Sequence, residues 1–141
     1  MNSAANATQI GGSHYKTEGV QHWDIVDTYE VCYLAGCATK YLTRFRRKNG
    51  LQDLQKAQHY IAKMIEARGK YHGRTEGDVP EIALQTFLAD NGITGIEREP
   101  IRLVFNWTKP AQLKSAAAWV EALIEEFEGS TPTGSYVNQD R

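Results

Sequence analysis

Two neighbouring segments of this chain repeat apolar residues at every third or fourth position, with only a short turn between them. The repeats are Leu34, Ala38, Tyr41 or Leu42 and Phe45 in residues 31–47, then Leu54, Ala57, Ile61, Met64 or Ile65 and Arg68 in residues 51–71. This spacing is typical of amphipathic helices. The turn contains Gly50, and glycine commonly follows a helix end because it adopts a left-handed conformation easily. The two segments are therefore predicted to form an antiparallel helical hairpin.

The remaining sequence also favours helices, so the predicted fold class is mainly α, with an N-terminal antiparallel helical hairpin and a smaller C-terminal helical part. Further helices are predicted near His22–Tyr29, over Glu81–Asp90 and over Pro110–Phe127. Ile101–Trp107 is left open between one short strand and a helical turn, because periodicity does not decide so short a run.

Changes in composition divide the chain into regions. Residues 1–12 are small and polar and are predicted to form a flexible arm, and residues 129–141 are predicted to be a disordered tail. A glycine-rich linker over residues 69–80 separates the hairpin region, 13–72, from a C-terminal helical region, 80–128.

Composition also excludes several classes of protein. The 141 residues suffice for one domain with a real core, without disulfides or a structural metal. The sequence has no run of about 18 apolar residues and its start lacks the features of a secretory signal, so we expect no membrane partner and a cytoplasmic location. Cys32 and Cys37 lie five positions apart in a helix and face different directions, which favours free thiols.

Basic residues are concentrated in one part of the sequence. Residues 40–74 contain ten Lys and Arg against two acids, Asp53 and Glu66, in a chain whose formal net charge is −1. Such segregation suits a phosphate-bearing partner, with acidic flanks that limit indiscriminate binding of polyanions. The alternative is an ordinary solvated helix face with long basic side chains.

Within this basic segment, Lys40 and Arg44 share one helix face, and Arg47 lies one turn further on. Cations placed in this way can contact adjacent phosphates, Lys as a point charge and Arg through its planar fork. Lys48 follows at the turn. Arg46 points elsewhere and is predicted to be solvated. Lys56 either extends the basic site or pairs with Asp53.

The loop Gly11-Gly12-Ser13-His14-Tyr15 could also contact a nucleotide. Its backbone amides and the hydroxyl of Ser13 suit a phosphate, and the ring of Tyr15 could stack on a base. An ordinary flexible turn has the same composition. Trp23 is a second candidate for the base, although core or hairpin packing is the more common role for such a residue.

Asp24 and Asp27 lie one helical turn apart, so they could jointly hold Mg²⁺, which prefers carboxylates, water and substrate phosphates. Acids at a helix N-terminus are also common without any metal, because they complement the helix dipole.

The order of several residues resembles the SaV-like bacteriophage protein family, a former domain of unknown function that includes a phage early deoxynucleoside monophosphate kinase. The resemblance covers about residues 10 to 70. It is carried by Ser13-His14-Tyr15, by Tyr33, Gly36, Lys40, Tyr41 and Arg44 in one helix, and by Lys48, Asp53-Leu54, Lys56-Ala57 and Tyr60. Cys37 stands where the family pattern has asparagine.

The resemblance implies a phosphoryl-transfer or nucleotide-binding site at these positions, and a location in the cytoplasm of an infected bacterium. In this hypothesis Lys40, Arg44 and His14 are catalytic, Ser13, Tyr15, Trp23, Arg47, Lys48 and Lys56 bind the nucleotide, Asp24 and Asp27 hold Mg²⁺, and ATP is the phosphate donor. Small helical proteins often need a second chain to complete a ligand pocket, so a homo-oligomer is expected.

Two other functions use the same residues. One is a protein that sequesters nucleotides or cyclic-nucleotide defence signals without chemistry. The other is a single-stranded nucleic-acid-binding module built on residues 40–48 with Tyr41 and Phe45. The second is less favoured because Tyr41 and Phe45 have core-like spacing and the total charge is not basic.

Overall fold

The computed structural model describes residues 4–8, 19–67 and 79–130. Within them the chain forms six α-helices and one 3₁₀ turn: α1 (His22–Thr28), α2 (Tyr33–Arg44), the 3₁₀ turn (Phe45–Arg47), α3 (Leu51–Glu66), α4 (Glu81–Asp90), α5 (Arg98–Phe105) and α6 (Pro110–Ser130). The predicted mainly-α class is confirmed. Among the described residues, no helix is both long and apolar enough to cross a bilayer.

The hairpin of α2 and α3 forms as the apolar spacing predicts, with a tighter end to its first helix. The final residues, Phe45–Arg47, wind as a 3₁₀ turn, and the backbone N–H of Gly50 then donates to the carbonyl of Phe45 at 2.9 Å. Gly50 has a φ of 50°, a conformation that costs glycine little. Arg44 contacts Asp53 beside the turn while Tyr33 contacts Tyr60 further away, as expected of antiparallel helices.

One hydrophobic core joins both halves of the chain. The hairpin helices α2 and α3 pack on each other, α5 packs on α2, and α6 packs on α3 and α5. Side chains from all four of these helices and the 3₁₀ turn are fully buried at the centre, including Leu42, Phe45, Leu54, Ile61, Val104 and Leu113. Burying one such side chain contributes about 1.5–3 kcal/mol. Helices from the predicted regions 13–72 and 80–128 therefore share this core.

The segment left open by its sequence, Ile101–Trp107, belongs mostly to helix α5. Ile101, Val104 and Phe105 are completely buried at helical spacing, so the core contact selects the helix over a strand. Asn106 then ends the helix and closes a loop, because its side chain accepts from the backbone N–H of Val79 and donates to the carbonyl of the same residue.

Helix α1 lies beside α2 and α4 and buries a histidine against them. The ring of His22 packs near Phe87 and Phe105, and its Nε2 lies 2.7 Å from the hydroxyl of Thr39. That hydroxyl donates its own hydrogen to the carbonyl of Ala35, so it accepts the hydrogen of Nε2. Burial, with a smaller effect of nearby Lys40, lowers the pKa of His22 to about 3. The ring is therefore neutral in the folded protein.

Candidate functional site

Three basic side chains surround one tyrosine ring on the hairpin. The Nζ atom of Lys40 and the Cζ atom of Arg44 each lie 4.7 Å from the ring centroid of Tyr41, and the Nζ atom of Lys56 lies 5.3 Å from it. The first two come from α2 and Lys56 comes from α3, so the antiparallel packing brings them together. Cations at such distances are attracted to the ring face, which offsets part of their mutual repulsion. We call these residues the Tyr41 cluster.

Arg44 is held in place by a buried carboxylate. Its Nε donates to Oδ2 of Asp53 and its Nη2 donates to Oδ1, both at 3.1 Å. The Asp53 side chain is 0% exposed and also accepts the backbone N–H of Asn49, so the ion pair fixes the turn as well as the guanidinium. Asp53 therefore pairs with Arg44, and not with Lys56 as in one of the two predicted alternatives.

A groove runs along the hairpin beside the Tyr41 cluster. Its volume is about 410 Å³, and it is lined by Tyr41, Gln52, Gln55, Lys56, His59 and Tyr60. The α3 members are spaced by three or four residues, so they form one stripe, and none of them belongs to the fully buried stripe of Leu54, Ala57 and Ile61. Small-molecule sites commonly have volumes of about 300–1,000 Å³. We call this feature the hairpin groove.

The aromatic wall of the hairpin groove is held by ring contacts. Tyr60 stacks with Tyr41 at a centroid distance of 6.0 Å and an interplanar angle of 18°, and Tyr33 meets Tyr60 edge-on at 6.4 Å. A hydrogen bond with Tyr33, followed by the proximity of Cys37, raises the pKa of Tyr60 to about 12. Tyr60 therefore keeps its proton at neutral pH, and its ring has a defined orientation.

The remaining predicted cations lie at the turn. Arg47 and Lys48 are exposed there. Arg46 is exposed as well, in line with its predicted solvation, but its guanidinium also forms a two-point ion pair with Glu97 and lies 4.7 Å from the ring centroid of Phe45. Phe45 itself is 1% exposed, so it cannot stack on a nucleic-acid base.

The predicted metal pair lies on α1, outside the lining of the hairpin groove. Oδ2 of Asp24 accepts the backbone N–H of Gln21 and the side-chain amide of Asn6, both at 2.8 Å, so this oxygen caps α1. Asp27 is exposed. In the described part of the chain no three His, Cys, Asp or Glu side chains are grouped as metal ligands. The exposed carboxylate of Asp27 and the second oxygen of Asp24 are of the donor type that Mg²⁺ prefers, which often takes only one or two carboxylates.

Of the residues predicted to contact the base, Trp23 is outside the lining of the hairpin groove. The indole N–H of Trp23 donates to Oδ1 of Asn6 at 2.7 Å, and its side chain remains 51% exposed on α1. Ser13, His14 and Tyr15 lie outside the described residues.

Sequence reasoning overlooked Gln52, Gln55 and His59 as site residues. A single histidine in a helix, such as His59, usually has only a packing or surface role. The spacing of the three residues in the sequence does indicate a shared surface. All three lie on the stripe of α3 that also contains Lys56 and Tyr60, opposite the apolar stripe of that helix.

Part of the chain matches a known protein family. Residues 10–62 match the model of a protein family described as a protein of unknown function (DUF3310). The matched segment contains the whole of α2 and most of α3, and so all residues of the Tyr41 cluster and the hairpin groove. No curated protein and no solved structure matches the chain.

Proposed function

We propose that this protein binds nucleotides in the hairpin groove and acts as a deoxynucleoside monophosphate kinase without a P-loop. The observation that carries the nucleotide part is the Tyr41 cluster, in which three cations lie around one ring at the edge of a groove. A phosphate group needs several convergent donors, and an aromatic wall nearby suits the flat face of a base.

The three cations have different roles in this proposal. Lys40 and Lys56 approach the ring of Tyr41 from two helices and would contact phosphate oxygens as mobile point charges. Arg44 is oriented by Asp53, so it would supply a fixed positive charge beside them. The charges of Arg44 and Asp53 cancel, so the two positive charges of Lys40 and Lys56 remain. They complement the charge of a phosphate monoester, which is about −1.5 to −2 at neutral pH.

The kinase part rests on the resemblance of residues 10 to 70 to the SaV-like family. Phosphoryl transfer depends mainly on positioning and on stabilisation of charge, and the Tyr41 cluster offers both. Mg²⁺ would neutralise the phosphates of ATP, with Asp24 and Asp27 as its proposed protein ligands. Ser13, His14, Arg47 and Lys48 complete the proposed set of phosphate contacts.

The test is to incubate the protein with each deoxynucleoside monophosphate, with and without ATP and Mg²⁺, and to identify free and bound nucleotides by mass spectrometry. Diphosphates should appear only when ATP and Mg²⁺ are both present. Lys40→Ala should reduce their formation strongly, whereas Lys114→Ala, at an exposed lysine on α6, should not. Equal turnover by the two variants would exclude the Tyr41 cluster as the site.

A second candidate is sequestration of nucleotides or cyclic-nucleotide signals without chemistry. The capping role of Asp24 favours it, because one oxygen of the predicted metal pair is already occupied by hydrogen bonds. Recovery of an intact nucleotide bound equally well in EDTA, with no diphosphate formed, would select this function over the kinase.

A further inference from the structure

We infer that the hairpin groove has two sides with different chemistry, and that Gln55 and His59 on one side read the edge of a nucleobase. The inference rests on the proposed nucleotide binding and assigns base specificity to two residues of α3. The phosphate side is the Tyr41 cluster, where Lys56 lies over the ring of Tyr41.

The arrangement of the two sides of the groove follows from helical geometry. Lys56 and Tyr60 form one pair four residues apart on α3, and Gln55 and His59 form a second, parallel pair. All four side chains line the groove, and both Gln55 and His59 are exposed. A ligand whose phosphate lies at Lys56 would therefore have its remaining atoms beside an amide, an imidazole and the ring of Tyr60.

The residue types on the side of Gln55 and His59 suit a base. A glutamine amide presents a donor and an acceptor side by side, which matches the paired donor and acceptor on the edge of a nucleobase. The ring of Tyr60 is held in a defined orientation by Tyr41 and Tyr33, so it gives a base on this side a fixed aromatic neighbour. A phosphate or sugar phosphate alone would use neither feature.

This assignment differs from the one based on sequence, in which Tyr15 or Trp23 contacts the base. Trp23 lies on α1 and is outside the lining of the groove. Gln55 and His59 lie on the helix that also supplies Lys56. One rigid helix would thus set the distance between base and phosphate.

The experiment compares the affinities of the four deoxynucleoside monophosphates with that of 2-deoxyribose 5-phosphate, by isothermal titration calorimetry. The unaltered protein should bind at least one nucleotide more tightly than the sugar phosphate. Gln55→Ala should weaken binding of the preferred nucleotide by about five- to a hundredfold. The same substitution should leave the affinity for the sugar phosphate unchanged, and His59→Ala should behave in the same way.

Two further variants sharpen the result. Gln55→Glu keeps an acceptor and loses the donor, so it should change the order of preference among the four bases, after correction for its effect on the sugar phosphate. Gln85→Ala, at an exposed glutamine on α4, should change none of the affinities.

The outcomes separate this inference from the proposed function. If Lys40→Ala and Lys56→Ala weaken binding while the Gln55 and His59 variants keep the original base preference, nucleotide binding stands and the base subsite is wrong. Equal losses for nucleotides and sugar phosphate in the Gln55 and His59 variants would also overturn the inference. If the unaltered protein binds no nucleotide at all, both proposals fail.

Discussion

Arg46 and Glu97 connect the basic turn to the C-terminal half of the chain through two parallel hydrogen bonds, Nε to Oε2 at 2.9 Å and Nη2 to Oε1 at 3.0 Å. The Glu97 side chain is 4% exposed, whereas that of Arg46 is 48% exposed. The hydrogen bonds to Glu97 raise the pKa of Arg46 above its ordinary value. The basic turn is thus anchored to the residues just before α5.

This difference in burial predicts unequal effects of removing either partner. Arg46→Ala leaves a buried carboxylate without its cation and should lower the free energy of unfolding by about 2–3 kcal/mol. Glu97→Gln leaves an arginine that water can reach and should cost about 1 kcal/mol. Urea denaturation would measure both values. Equal losses would contradict the inference that Glu97 is the desolvated partner.

A third variant tests the same pair without removing a charge. A methyl group on Gly95 would contact the carboxylate of Glu97 and the guanidinium of Arg46. Gly95→Ala should therefore destabilise the protein by displacing the pair, and much less so in a background that already carries Arg46→Ala.

Asp53 should be among the most sensitive charged residues of the hairpin. Asp53→Asn replaces a fully buried carboxylate that binds Arg44 and the backbone of Asn49, so it should cost about 3–5 kcal/mol of unfolding free energy. Asp27→Asn, at an exposed position on α1, should change stability by less than about 0.5 kcal/mol. A loss below about 1 kcal/mol for Asp53→Asn, measured by urea denaturation, would show that the pair is not buried in solution.

The lysines of the Tyr41 cluster should affect binding and not stability. Lys40→Ala and Lys56→Ala should each weaken nucleotide binding about tenfold, the loss expected for a hydrogen bond to a charged group. Their melting temperatures should stay within about 2 °C of the unaltered protein, because both side chains are only partly buried. Calorimetric titration and thermal unfolding would measure these effects, with Lys114→Ala as the control.

His22 should make the fold sensitive to acid. Its pKa is about 3 in the folded chain and about 6.5 when unfolded, so protons bind preferentially to the unfolded state as pH falls below 6.5. The contribution of the neutral His22 ring to the free energy of unfolding is fully present above pH 6.5. It decreases below that pH, by about 1.4 kcal/mol at pH 5.5.

The measurement is urea denaturation at pH 8 and pH 5.5 for the unaltered protein and for His22→Gln, whose amide nitrogen can still donate to Thr39. The variant should lose about 1.4 kcal/mol less than the unaltered protein over this range. Identical pH dependence would show that folding leaves the pKa of His22 unchanged.

Helix positions were predictable because each helix places a regular apolar stripe in the core. The bounds predicted for the fourth helix, Glu81–Asp90, are those observed, and α5 was ambiguous only because its run is short. The hairpin was predictable for the same reason, since two long stripes flank one glycine. The 3₁₀ winding of Phe45–Arg47 had no sequence signal, because it depends on how the turn packs.

The candidate site was only partly predictable. Helical spacing correctly placed Lys40 and Arg44 on a common face, and both lie beside Tyr41. The choice of Asp53 as the partner of Arg44, and of Glu97 as the partner of Arg46, depends on tertiary distances that periodicity does not encode. The residues opposite the core on α3 were overlooked because a polar stripe is usually only solvated.

The shared core has a consequence for how such a protein can evolve. The match to the family of unknown function ends at residue 62, inside α3, and the apolar face of α3 is covered by α6. The recognisable segment is therefore not a self-sufficient unit of folding. A relative that shares only this segment must cover the same face with different helices or with a second subunit, so the covering helices can be exchanged while the polar face of the hairpin is inherited.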